Sequence, residues 1–174
     1  MRRQSRDRER LLTIIFVSFL VGLMIGLYFY EPVIEELVKS GILLPELSTL
    51  GYEAASVAVD EDTLYLSAGC YQLSMLISDD QALSIERGMD NIVTRPLTHD
   101  IFAEVADNFG LEVLIIKIDS FKDNTYRARI VVRQNNKILD IDSRPSDAVA
   151  LAVRMNKQVY VKEALLNEYG VEIC

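Results

Sequence analysis

The residue pattern predicts an α+β fold: a mixed, largely antiparallel sheet with helices packed around one buried central helix, preceded by one transmembrane helix. Three observations carry this. Runs of alternating apolar and polar residues are joined by short turns, which is the mark of antiparallel hairpins. Helical stripes occur apart from those hairpins, and that mixture argues for α+β. The run Ala148–Val153 is apolar on every side, so as a helix it needs cover all round.

The chain opens with Arg2, Arg3, Arg6, Arg8 and Arg10, then continues from Leu11 to Tyr30 without a charge. A helix of about 20 apolar residues crosses a bilayer. Acidic Glu31, Glu35 and Glu36 follow, so the positive-inside rule leaves the N-terminus in the cytoplasm and the rest on the extracytoplasmic side. A cleaved signal peptide has a shorter core of about 7–15 residues. The exit through Tyr28 and Tyr30 also suits a membrane interface. Residues 1–10 therefore read as a basic cytoplasmic tail and residues 11–30 as a single-pass anchor in the lipid bilayer. Gly22 and Gly26 form a G-x-x-x-G pair, a contact through which two such helices would pack into a homo-oligomer. Residues 31–52 read as a stalk, with a short stripe of Val33, Ile34, Leu37 and Val38 broken by Gly41 and Pro45.

The domain is expected over residues 53–174. Residues 54–59 and 63–68 form a hairpin around Asp60-Glu61-Asp62, and residues 71–77 a third strand. Asp79 and Asp80 start a helix with Ala82, Ile85 and Met89 inward. After a loop over residues 91–97, Thr98 caps a second helix with Ile101, Phe102, Val105, Ala106 and Phe109 on its buried stripe and Gly110 at its end. Strands follow over residues 111–121, 125–134 and 137–142. The Asn135-Asn136 tip suits positive φ and sets the register, with Gln134 opposite Lys137. Ile130 then opposes Ile141, and Val132 opposes Leu139, on the core face. Arg129 opposes Asp142, and Val131 opposes Asp140, on the other face, where Arg127 and Arg133 also lie. The apolar helix, a strand over residues 158–161 and a helix over residues 162–169 complete the domain.

Charge narrows the function. The net charge is −8, and residues 31–174 hold 24 of the 26 acidic side chains but only 13 of the 18 basic ones. Such a domain does not draw nucleic acid by its overall field, so phosphate binding needs a local basic cluster or a metal ion. His99 is the single histidine, which excludes His-rich zinc sites. Cys70 and Cys174 show no metal spacing and are expected as two free thiols, with Cys174 available for an intermolecular link.

One local pattern occurs twice. Arg95-Pro96-Leu97-Thr98-His99-Asp100 opens one helix and Arg144-Pro145-Ser146-Asp147 opens another. Helix starts attract anions through free N–H groups and the dipole, and arginine adds a bidentate phosphate donor. Thr98 and Ser146 are equally ordinary N-caps, and Asp100 and Asp147 are ordinary first-turn acids. A phosphodiester hydrolase would want clustered carboxylates for Mg²⁺ or Mn²⁺ and cations on the phosphate. Asp142, Asp147 and Asp100 are the candidates for catalysis and for holding the metal. Arg95, Arg127, Arg129 and Arg144, with Thr98 and Ser146, are those for substrate, and His99 stands beside them as a catalytic candidate.

The blocks R-P-L-T-H-D at residues 95–100, T-Y-R-A-R at 125–129 and D-S-R-P-S-D-A-V-A-L-A at 142–152, in that order, resemble the bifunctional nuclease domain family. The resemblance covers roughly residues 53–170. It implies an α+β domain active on DNA and RNA. Two features depart from the family pattern: Ser78 and Gln81 stand where a glycine and a glutamate are common, and the anchor is extra. The reading is therefore a membrane-tethered, metal-assisted nuclease. The alternatives are a non-catalytic module that binds an anion or a protein, and an assembly protein.

Overall fold

The computed structural model describes residues 17–20, 22, 24 and 45–174. Most of the expected anchor and stalk, Gly26 included, lies outside the described residues. Among the described residues no helix is long and apolar enough to cross a membrane.

Residues 45–174 form one compact unit. Its elements are β1 (Tyr52–Asp60), β2 (Thr63–Ala68), β3 (Tyr71–Leu76), α1 (Asp79–Met89), α2 (Thr98–Asn108), β4 (Glu112–Lys122), β5 (Thr125–Gln134), β6 (Lys137–Ser143), α3 (Pro145–Arg154), β7 (Val159–Lys162), α4 (Glu163–Tyr169) and β8 (Val171–Glu172). The strands form one sheet in the order β6-β5-β4-β7-β1-β2-β3-β8. Every pairing is antiparallel except β4 with β7. The fold is thus α+β with a mixed, mostly antiparallel sheet, as predicted. The unit starts at Pro45, so the end of the expected stalk packs with it. There the Lys117 ammonium donates to the Ser48 carbonyl at 2.6 Å.

The β5–β6 register is the predicted one: Arg129 faces Asp142, Ile130 faces Ile141 and Gln134 faces Lys137. Asn135 takes the positive φ, 53°, that the tip requires. The central helix is also as expected: Ala148, Val149, Ala150, Leu151 and Ala152 are all buried. Helices α1 and α2 and strands β4 and β5 cover it.

Burial differs from expectation at the margins. Ala106 is buried and Phe102 packs on the core, but Ile101, Val105 and Phe109 of α2 are exposed. Met89 is exposed as well. Leu139 and Ile141 keep their register, yet β6 is the edge strand and neither is buried. Ile130 and Val132, one strand further in, are.

The cysteines are a correction. Cys70 and Cys174 are joined in a disulfide. The short strand β8, absent from the sequence reading, pairs with β3, and the Ile173 N–H donates to the Cys70 carbonyl at 2.9 Å. That brings the two Cα atoms to 5.2 Å, within bridging distance.

Candidate active site

Three helices contribute to a cluster of four side chains: Ser84 from α1, His99 from α2, and Arg144 and Asp147 from the start of α3. Helix α3 starts with Pro145 in its first turn and Arg144 as N-cap. Ser146 was expected to cap it; instead it lies inside the helix and is buried. Arg144 donates from Nε and Nη2 to Asp147 at 2.7 and 2.9 Å. His99, in the first turn of α2, lies with Nε2 3.5 Å from Asp147 Oδ1. Its other nitrogen, Nδ1, is 2.9 Å from Ser84 Oγ of α1. A carboxylate only accepts, so the tautomer with Nε2–H toward Asp147 and the Ser84 hydroxyl donating to Nδ1 satisfies both sides. Burial lowers the His99 pKa below the ordinary 6.5, and Arg154 adds to this, while Asp147 opposes it. The ring is therefore neutral at pH 7.

Asp100 serves another purpose. Its Oδ1 accepts from Arg154 Nε at 2.6 Å, and its Oδ2 accepts from the Leu97 N–H at 2.7 Å. Leu97, not Thr98, is the N-cap of α2, and Asp100 closes that cap from within the helix. Burial would raise the Asp100 pKa, but Arg154 and the Leu97 N–H outweigh it and hold it below the ordinary value. The two predicted helix starts do meet, through His99 and Asp147. Asp100 turns instead toward Arg154 at the far end of α3.

The remaining predicted residues are not gathered in. Arg95 and Thr98 are exposed. Arg127 lies 3.9 Å from Asp123 at the β4–β5 turn, away from the cluster. Arg129 bonds to Asp140 rather than to Asp142 opposite it, since a long side chain reaches its diagonal neighbour. By alternation Asp142, Asp140 and Arg129 share the sheet face opposite Ala128, Ile130 and Val132, which pack in the core with α3. That face carries its own polar group. The Tyr52 hydroxyl donates to Asp119, and Lys117 lies over the Tyr52 ring. Burial and Asp119 push the Tyr52 phenol up, and burial lowers the Lys117 ammonium. Asp142 is thus divided from Asp147 by the sheet, and Asp100 is engaged by Arg154. Among the described residues no three His, Cys, Asp or Glu side chains are grouped to hold a metal ion. The expected Asp100–Asp142–Asp147 set does not fit one.

Comparison with known proteins adds the family. A profile of the bifunctional nuclease domain matches residues 64–173. The chain belongs to this family. The bifunctional nuclease domain so defined contains Ser84, His99, Arg144 and Asp147. Uncharacterized protein Rv1829 of Mycobacterium tuberculosis is 34% identical over 79 residues, 45% of this chain and 46% of its own length. Bifunctional nuclease 1 of Arabidopsis thaliana is 24% identical over 105 residues, 58% of this chain and 32% of its own. Bifunctional nuclease 2 of Oryza sativa is 28% identical over 82 residues, 45% of this chain and 25% of its own. The matched stretch is under half the length of each of these relatives.

Sequence reasoning about this domain missed Ser84. Gln81, Ser84 and Gly88 recur at helical spacing beside Ile85, so Ser84 lies on the buried side of α1. A hydroxyl there requires a partner, and that was the available signal. Gln81 closes the α1 cap: the Ser78 N–H donates to its Oε1 at 3.0 Å.

Proposed function

We propose that this domain hydrolyses phosphodiester bonds of nucleic acid at the Arg144–Asp147–His99 cluster. The observation that carries the reading is an imidazole bracketed by Ser84 and Asp147, beside an exposed arginine at a helix start. Asp147 occupies two of the five guanidinium N–H groups, leaving the others of Arg144 for a phosphate oxygen. His99 is the proton-transfer group in its other tautomer, with Nδ1–H donating to Ser84 and the lone pair on Nε2. Nε2 takes a proton from the attacking water as its oxygen adds to phosphorus, the bond to the leaving oxygen breaks, and the imidazolium, steadied by Asp147, gives that proton to the leaving oxygen. Ser84 and Asp147 act through His99 as positioning residues. The separation of 3.5 Å to Asp147 is long for a hydrogen bond, and such contacts tighten once substrate is bound. Asp100, Asp142 and Asp147 are not grouped as a metal cage, and the Mg²⁺, Mn²⁺ and EDTA arms below test whether cleavage needs a metal.

The test is a cleavage assay of the full-length chain on single- and double-stranded DNA and RNA, with Mg²⁺, with Mn²⁺ and with EDTA. The wild type should cleave, and a folded His99→Gln variant should lose roughly a hundredfold in rate. No cleavage by folded wild type in any arm sinks the nuclease reading. It would favour the second reading, a non-catalytic module that binds an anion or a protein.

Tethering by residues 11–30, with the domain extracytoplasmic, belongs to the same proposal. The Cys70–Cys174 bridge supports it, because disulfides persist in oxidising compartments. In sealed inside-out vesicles the domain should resist added protease; digestion there would refute that orientation.

A further inference from the structure

A cavity of about 520 Å³ adjoins the site. It lies between the β4–β5 hairpin, β3 and the start of α3, and Arg144 and Ser146 are in its wall. Its other walls include Met75, Ile77, Phe121, Tyr126 and Gln81. Cavities of this size accept small organic ligands, with apolar and aromatic walls for bulk and a few polar groups for orientation.

Three features narrow the occupant. The Phe121 and Tyr126 rings lie 4.5 Å apart by centroid, and Tyr169 backs both, at 4.8 and 6.3 Å. Rings held from behind give a preformed stacking wall, and stacking on aromatics is how proteins take single-stranded bases regardless of sequence. Gln81 Oε1 is occupied by the Ser78 N–H, which leaves the amide NH₂ as donor toward a carbonyl or ring nitrogen. Arg144 belongs at once to the cavity wall and to the pair with Asp147, so a phosphate on it lies between the cavity and His99. An apolar slot, an amide donor and a cation at the mouth are together complementary to a nucleotide.

We propose that this cavity is a nucleobase subsite, in which the base next to the scissile phosphate stacks against Phe121 and Tyr126 while its phosphate rests on Arg144. This rests on the nuclease reading and deepens it. It makes the substrate an unpaired strand or a strand end, because a base inside a duplex cannot enter a side pocket without leaving its stack.

The test is binding without turnover. The full-length chain, in EDTA, is titrated with adenosine 5′-monophosphate, ribose 5-phosphate and inorganic phosphate, followed by NMR. The nucleotide should bind about tenfold more tightly than the sugar phosphate. Tyr126→Leu, which keeps an apolar side chain, should abolish that difference, and Tyr126→Phe should keep it. Should Tyr126→Leu not fold, the wild-type comparison of nucleotide with sugar phosphate decides alone. Equal affinity for the two, no binding of either, or a difference untouched in folded Tyr126→Leu overturns the subsite. Cleavage of oligonucleotides together with equal affinities would sink the subsite and leave the nuclease standing. Selective nucleotide binding without any cleavage would uphold the subsite and sink the nuclease.

Discussion

Two adjacent residues, His99 and Asp100, looked alike as site candidates and differ in what they touch. His99 reaches Ser84 and Asp147, whereas Asp100 is locked to Arg154 and the Leu97 N–H. The Asp100–Arg154 pair is nearly enclosed, at 14% and 6% side-chain exposure. Removing one partner of a buried pair strands the other charge at a cost of about 3–5 kcal/mol. Asp100→Asn should therefore lower stability by about 3 kcal/mol in urea denaturation; an unchanged midpoint would mean that the pair does not hold α2 to α3. His99 carries the pH dependence. Its folded-state pKa is depressed, so as pH falls the unfolded chain takes up the proton first. Its contribution to stability is complete above pH 6.5 and declines as pH drops through the folded value. As the single histidine it gives one ring titration by NMR, and a midpoint below 6.5 is expected.

At the scale of elements, the position of α1 against α3 decides whether Ser84 meets His99. Gly88 sets that approach. A Cβ added there would stand 2.5 Å from Val153 Cγ2 and 2.8 Å from Arg154 Nη1. Gly88→Ala gains helix propensity of about 1 kcal/mol but forces the helices apart. A net loss of about 1–2 kcal/mol is expected in thermal unfolding, together with weaker His99 protection from the Ser84 hydroxyl, visible as a shifted ring titration. A stabilised Gly88→Ala would show that the helices have slack. The hairpins behave differently, because their geometry is local. The two-residue Asn135-Asn136 turn and the two-residue side-chain period together dictate the β5–β6 register, and a slip by one residue would turn every core side chain outward.

For the whole molecule, the sheet divides what the sequence grouped together. Asp142 and Arg129 sit on one face, while Asp147, Arg144 and His99 sit among the helices on the other. The C-terminus is fastened by β8 and by a bridge spanning 104 residues. Closing so long a loop restricts the unfolded chain, and native disulfides of this kind contribute about 2–5 kcal/mol. Cys70→Ser should lower the thermal midpoint, and a reductant should do the same to the wild type but not to the variant. Equal midpoints with and without reductant in the wild type would argue that the bridge does not form.

The sequence alone determined what depends on near neighbours: the hairpins, their register, the central apolar helix, and the Arg-Pro starts that mark the family. Period, turn chemistry and all-round apolarity are properties of a few consecutive residues, so they can be read before folding. Only the tertiary structure decided which candidates meet. It brought Ser84 to His99 and Cys70 to Cys174, gave Asp100 to Arg154, and left the exposed side of α2 and the β6 edge uncovered. Those outcomes depend on how helices and sheet edges pack across long stretches of chain, where no local pattern specifies the partner.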